Sequence, residues 1–247
     1  MRNEHAWRPS KFVQGPNQSL IASRNRADVA AGSRVIGDAI GRAYATYLRQ
    51  YARGRLVDLG CGQVPLYGSY REHVSLSVCV DWHQNVHTNN HVDVISDLNQ
   101  PLPFGDRAFN TIVLSDVLEH VRLPHQLWSE MARLLVPGGA VLISVPFYYR
   151  IHEAPHDYFR YTEHALRYLA EASGFHIQVL EPLGGSPEVL SDIIGKHLQQ
   201  IPVIGGSCAA VLYYMTAAIL RTRPGRKLSA RTAKRFPLGY FLVGERN

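Results

Sequence analysis

Val57-Asp58-Leu59-Gly60-Cys61-Gly62-Gln63 is an apolar run that ends in a carboxylate and then breaks on two glycines. Such a run reads as a buried strand, a sharp turn and the start of a helix. Glycine suits the turn because the backbone bends tightly there and a ligand must approach it closely. About twenty residues further on, Val78-Cys79-Val80-Asp81 closes a second strand on another carboxylate. In a doubly wound sheet that acid lies beside the glycine turn and can accept both hydroxyls of a ribose. The two elements together predict a nucleoside cofactor. A dinucleotide would call for G-x-G-x-x-G, whereas this chain reads Gly60-Cys61-Gly62-Gln63-Val64-Pro65.

Outward from this centre, strand-like runs fall at 56–59, 76–80, 92–95, 109–115, 139–145, 175–180 and 240–243. Helical spacing marks 32–53, with Gly54 as its stop, and helices are expected near 67–73, 124–135 and 162–173. Strands alternating with helices predict an α/β fold with a mostly parallel sheet covered on both faces. Residues 1–31 read as a basic, weakly patterned arm with one short helix, and 32–247 as the main domain. Within it, 186–222 reads as two helices parted near Ile201 and Pro202, the core of an insertion over about 186–235.

Composition sets the class. With 46% hydrophobic and 19% charged residues among 247, the chain can bury a sizeable core and is not a disordered tail. The net charge is +6 and the pI about 9.3. Arg221, Arg223, Arg226, Lys227, Arg231, Lys234 and Arg235 fall together without an acid. Such a cluster suits an anionic partner or a solvated surface. Three widely spaced cysteines (Cys61, Cys79, Cys208) form neither a disulfide framework nor a zinc pattern, so a reducing cytoplasm is expected. Residues 1–10 have no apolar core of a secretory signal. The uncharged stretch 201–220 is long enough to span a bilayer, but Pro202, Gly205 and Gly206 and the strand that follows favour a packed helix. Peripheral contact of 201–235 with an anionic membrane, at the inner face of the membrane, is the sharper alternative, and this segment could also support a homodimer.

The motifs resemble those of the class I S-adenosylmethionine (SAM)-dependent methyltransferases, more narrowly the type 11 methyltransferase-domain group, over about 52–181. Asp58-Leu59-Gly60-Cys61-Gly62 is similar to that family's first motif and Asp81 to its ribose acid. Asp97-Leu98 resembles the adenine contact, and Phe109-Asn110-Thr111-Ile112-Val113-Leu114-Ser115 the fourth strand. Leu134-Leu135-Val136-Pro137-Gly138-Gly139 resembles the turn before the fifth. The resemblance implies a Rossmann-like seven-stranded sheet with an antiparallel last strand, formed here by 236–243. It implies SAM as cofactor, held by Asp58, Gly60, Cys61, Gly62, Asp81, Trp82, Asp97, Leu98 and Ser115, with S-adenosylhomocysteine as product. The family's third loop glycine is replaced here by Val64-Pro65, which alters the loop's path. His156-Asp157-Tyr158-Phe159-Arg160-Tyr161-Thr162 resembles a segment common in bacterial members found with glycan and cell-envelope biosynthesis.

The acceptor side is expected beyond the fifth strand, on the rim where ligands bind in open α/β sheets. Tyr148, Tyr149, Asp157, Tyr158 and Arg160 are the candidate substrate contacts. His156, then His120 or His152, are candidate general bases, because imidazole titrates near neutrality. His152-Glu153-Ala154-Pro155-His156 matches HExxH in letters, but Pro155 opposes the helix a zinc protease needs. Asp116, Glu119 and His120 follow the fourth strand and resemble the acid-x-x-Glu-His run that binds a divalent metal in ubiquinone-type O-methyltransferases. They read more simply as a hydrogen-bonding unit. His83, His87 and His91 recur every fourth residue, but Asn85, Asn89 and Asn90 favour a loop. No metal is therefore expected. The expected acceptor is a small molecule or glycan precursor methylated on a hydroxyl. Nucleic acid is not expected as a partner. An RNA methyltransferase and a non-catalytic SAM-binding scaffold are the alternatives.

Overall fold

A computed structural model describes residues 1–16, 19–83 and 90–247. After a short antiparallel hairpin, β1 (Phe12–Gln14) and β2 (Leu20–Ala22), the chain enters α1 (Arg34–Tyr51). There follow β3 (Arg55–Leu59), α2 (Tyr67–Tyr70), β4 (Leu76–Asp81), β5 (Val94–Ile95) and β6 (Phe109–Ser115). Next come α3 (Pro124–Leu134), β7 (Leu135–Pro146), α4 (Glu163–Ala172) and β8 (Phe175–Leu183). Three helices, α5 (Ser186–Leu198), α6 (Gly205–Arg221) and α7 (Arg223–Thr232), precede the closing strand β9 (Gly239–Arg246). Seven strands form one sheet in the order β5-β4-β3-β6-β7-β9-β8, with β9 antiparallel to both its neighbours. This is the Rossmann-like seven-stranded architecture, with an antiparallel last strand, that the resemblance implies. Strand order reverses between β3 and β6, which opens a crevice at their carboxyl ends.

The central strands are buried on both faces, which is why they read as continuous apolar runs. On one face Ile36, Ile40, Tyr44 and Leu48 of α1 pack on Leu56, Val113, Leu142 and Phe241. On the other, Trp128, Met131 and Leu134 of α3 and Leu166 and Leu169 of α4 pack on Val57, Ile112, Ile143 and Leu242. Each such side chain contributes about 1.5–3 kcal/mol by leaving water. Helix starts follow local chemistry: Pro124 and Pro187 open α3 and α5, and the Thr162 hydroxyl accepts Ala165 N–H to cap α4.

Two regions differ from the sequence reading. In the first 31 residues the structure has a 3-10 turn at Glu4–Ala6 and the β1–β2 hairpin packed on α1. Strands of three residues are too short to leave a periodicity. The basic cluster after 221 forms a third insertion helix, α7, whose polar composition hides it. Thr222 caps that helix by accepting Gly225 N–H. The expected break near 201–202 separates α5 from α6. Tyr213 of α6 donates to Asp38 Oδ2 of α1 at 2.6 Å, and Arg24 pairs with the same carboxylate, so the insertion is tied to the domain. No helix among the described residues is long and apolar enough to cross a membrane.

Candidate active site

The carboxyl ends of β3, β4, β6 and β7 open into a cavity of about 1040 Å³. Its cofactor wall is built mostly from backbone. Gly60 and Cys61 donate their N–H groups to Val80 O at 2.9 and 3.1 Å, drawing the turn after β3 against the end of β4. Gly62 N–H then donates to Asp81 Oδ2 at 2.8 Å. The glycine turn and the acid meet directly. Gly60 and Gly62 have φ of 68° and 50°, which a side chain disfavours. A Cβ on Gly60 would strike Val117 at 2.6 Å, whereas one on Gly62 meets nothing within 4 Å and would enter the cavity.

The missing third glycine has a visible consequence. Val64 takes a φ of 51° while fully buried, an unusual state for a β-branched residue. Trp7 Nε1–H donates to Val64 O at 3.0 Å, so the N-terminal segment braces the altered loop. Beneath it, Tyr70 OH donates to Asp58 Oδ2 at 3.2 Å. Burial raises the Asp58 carboxyl to about 7, against the pull of that hydroxyl.

Asp58, Gly60, Cys61, Gly62, Asp81, Trp82, Asp97, Leu98 and Ser115 all line the cavity. So do His120, His152, His156, Tyr149 and Tyr158 from the acceptor rim. Tyr148 is not part of this lining; its ring lies 6.2 Å from Phe236. Asp157 and Arg160 stand behind the rim. Arg160 clasps Asp157 through two bonds of 2.6 and 2.8 Å, holding its carboxyl well below the ordinary range, and Asp157 accepts His152 N–H at 2.9 Å. His87, Asn85 and Asn89 lie outside the described residues. The HExxH letters fall in a loop, not on a helix.

Each rim histidine has a separate setting. His156 Nδ1 pairs with Tyr158 OH at 2.9 Å, and its ring stands edge-on to Trp82 at 5.0 Å. His120 Nδ1 meets His156 O at 2.7 Å. His152 packs on His120 and Tyr149, and burial lowers its pKa. Glu119, fully buried beneath them, has its carboxyl pushed well above the usual range by desolvation and then by Asp116. The sequence reading missed Lys11, whose Nζ reaches in from the N-terminal segment to Asp116 Oδ2 at 2.9 Å. It also missed Ser10, Asp28 and Val29 on the same wall. A lone lysine in a weakly patterned stretch offers no signal.

A family model described as a methyltransferase domain, of the type 11 group, matches residues 57–143. That span holds the glycine turn, Asp81 and the strands that position them. Residues 57–143 are thus similar to a methyltransferase domain.

An uncharacterized methyltransferase of Mycobacterium leprae is 49% identical to this chain over 43 residues. The match covers 17% of this chain and 16% of that relative. Among solved structures, a SAM-dependent methyltransferase from Mesorhizobium loti aligns with a TM-score of 0.55 at 16% identity, over 86% of this chain and all of that one. Phosphoethanolamine N-methyltransferase 2 of Haemonchus contortus, in complex with SAM, aligns at 0.54 with 16% identity, over 87% of this chain and 56% of that one. The [4+2]-cyclase SpnF aligns at 0.50 with 17% identity, over 83% and 80%. At these identities the likeness is one of fold. The fold is thus shared with SAM-dependent methyltransferases.

Proposed function

We propose that this protein transfers the methyl group of SAM to a hydroxyl oxygen of a small-molecule or glycan-precursor acceptor. The contact that carries the reading is Gly62 N–H on Asp81 Oδ2 at the mouth of the cavity. A ribose beside that carboxylate sets adenosine along the glycine turn. The sulfonium then faces the histidine rim across the same cavity. Transfer is an in-line displacement: the acceptor oxygen forms a bond to the methyl carbon while the S–CH3 bond breaks. Its electron pair neutralises the sulfonium to give S-adenosylhomocysteine. Alignment in such a cleft is worth roughly 7–11 kcal/mol. The hydroxyl proton goes to His156 Nε2, with the ring's own proton on Nδ1, where it is donated to the Tyr158 hydroxyl oxygen. His156→Ala should lower kcat by about 10²–10⁴ and leave S-adenosylhomocysteine affinity within about twofold. Turnover at the wild-type rate would remove His156 from this role.

A second observation bears on where the acceptor is met. Leu190, Ile193 and Ile194 on α5 and Val211, Tyr214, Met215 and Ile219 on α6 recur at helical spacing and are exposed. The cationic helix α7 lies beside them, with no acid from 221 to 235. An apolar face bordered by cations suits the surface of an anionic bilayer. We read it as a peripheral membrane contact that brings the domain to a lipid-linked or surface-bound acceptor. The protein should float with vesicles containing phosphatidylglycerol at low salt and not with neutral vesicles. No flotation, or a dimer that buries this face, would contradict the reading.

A further inference from the structure

Glu119 lies under the acceptor rim with its side chain fully buried, and neither carboxylate oxygen has a hydrogen-bond partner among the described residues. A carboxylate stripped of water in this way either takes up a proton or meets a cation. Two imidazole nitrogens face it. His120 Nε2 lies 3.7 Å and His152 Nε2 3.8 Å from Glu119 Oε1. The three donor atoms fall within 4.8 Å of one another.

The opposite side of each ring decides what those nitrogens offer. His120 Nδ1 is 2.7 Å from His156 O, and a carbonyl can only accept, so the proton sits on Nδ1. Its Nε2 then presents a lone pair to Glu119. His152 Nδ1 lies 3.2 Å from Asp157 Oδ2, a carboxylate kept ionised by Arg160. Nδ1 is outside hydrogen-bond geometry with that oxygen, and it is the nearby negative charge that favours a proton on Nδ1 and a lone pair on Nε2. The two Nε2 atoms thus share one near neighbour, Glu119 Oε1. Carbonyl and carboxylate partners behind the rings are what orients metal-binding histidines. A proton on Glu119 does not resolve the cluster, because 3.7–3.8 Å exceeds hydrogen-bond length.

We propose that Glu119, His120 and His152 hold a divalent transition-metal ion on the acceptor side of the cavity. Two imidazoles and one carboxylate form a set that favours zinc, cobalt or manganese over magnesium. Such ions sit about 2.0–2.2 Å from their ligands, so the three donors need draw inward by only a few tenths of an ångström each. Glu153 Oε2, 4.0 Å from His120 Nε2 on the exposed rim, is a fourth group within reach. The open side faces the cavity, which His120 and His152 line. Binding of the ion does not depend on the reaction proposed above. Its use does: there it would attract the acceptor oxygen and make its proton easier to remove.

The full chain, stripped with chelator, is dialysed against Co2+ or Zn2+ and its metal content is measured, with circular dichroism as the check on folding and calorimetric S-adenosylhomocysteine binding as a separate readout. One ion per chain is expected, with visible ligand-field absorption for Co2+. Glu119→Gln and His152→Ala should each weaken binding at least about tenfold, and Asp157→Asn by about 10–100-fold by removing the charge behind His152. Should Glu119→Gln fail to fold, His152→Ala, at the partly open rim, carries the comparison. Substoichiometric metal on the wild type, or equal metal on wild type and variants, overturns the site and leaves protons as the counter-charge. Metal binding without S-adenosylhomocysteine binding would instead fault the methyl-transfer reading and leave the metal site standing.

Discussion

The two sides of the cavity are built by opposite rules. On the glycine-turn side the polar groups answer one another: Gly60 and Cys61 on Val80, Gly62 and Trp82 on Asp81, Tyr70 on Asp58. On the histidine side the groups are oriented from behind, by His156 O, Asp157 and Arg160, but their forward faces converge unanswered on Glu119. The first side is preorganised for an invariant ligand, and its backbone donors need little from side chains. The second keeps its polarity in reserve for something that arrives. This contrast matches a reaction with one fixed cofactor and a separately chosen acceptor.

The largest expected effect breaks the cofactor side alone. Gly62→Val adds a side chain that meets no protein atom within 4 Å and enters the cavity. It should cost about 1–3 kcal/mol in stability for the left-handed backbone yet weaken S-adenosylhomocysteine by about 10³-fold or more, read by calorimetry against thermal melting. Equal affinity would mean the adenosine lies elsewhere.

Asp58 sharpens the comparison through pH. Its folded pKa of about 7 lies above its unfolded value, so the folded state holds the extra proton and this group's contribution to stability falls as pH rises through 4–7. The cationic donor favours the carboxylate form. SAM affinity should therefore fall by up to about tenfold per pH unit below 7, and Asp58→Asn should flatten both profiles. A wild-type affinity that is level from pH 5 to 8 would contradict the assignment.

The smallest effect is on the other side. Tyr158→Phe removes the hydroxyl at His156 Nδ1. Losing about 1 kcal/mol of positioning should lower kcat roughly fivefold and leave SAM affinity unchanged. An altered SAM affinity would place Tyr158 on the cofactor side instead.

The two sides also differed in how much of them the sequence disclosed. β3, β4 and β6 were legible because buried parallel strands are continuous apolar runs, and Asp58 and Asp81 stand at their ends. The glycine turn is contiguous, so its role shows in one glance at 57–63. The rim is assembled from distant pieces. Glu119 and His152 meet only because the loop after β7 folds back over the turn after β6. Whether Glu119 has a partner is a three-dimensional fact that no spacing reports. Lys11 and the β1–β2 hairpin were hidden for the same reason: short strands and a single lysine gain meaning only when packed on α1 and Asp116. Tyr148 illustrates the converse, since two adjacent tyrosines point differently, one to the cavity and one to Phe236.

The most direct test is calorimetric titration of S-adenosylhomocysteine into the wild type and Asp81→Ala. Removing the carboxylate that accepts Gly62 N–H and would hold the ribose should raise Kd by about 10²-fold or more, with an unchanged far-ultraviolet spectrum. Tight binding that survives the loss of Asp81, or no binding by the wild type, would contradict the account.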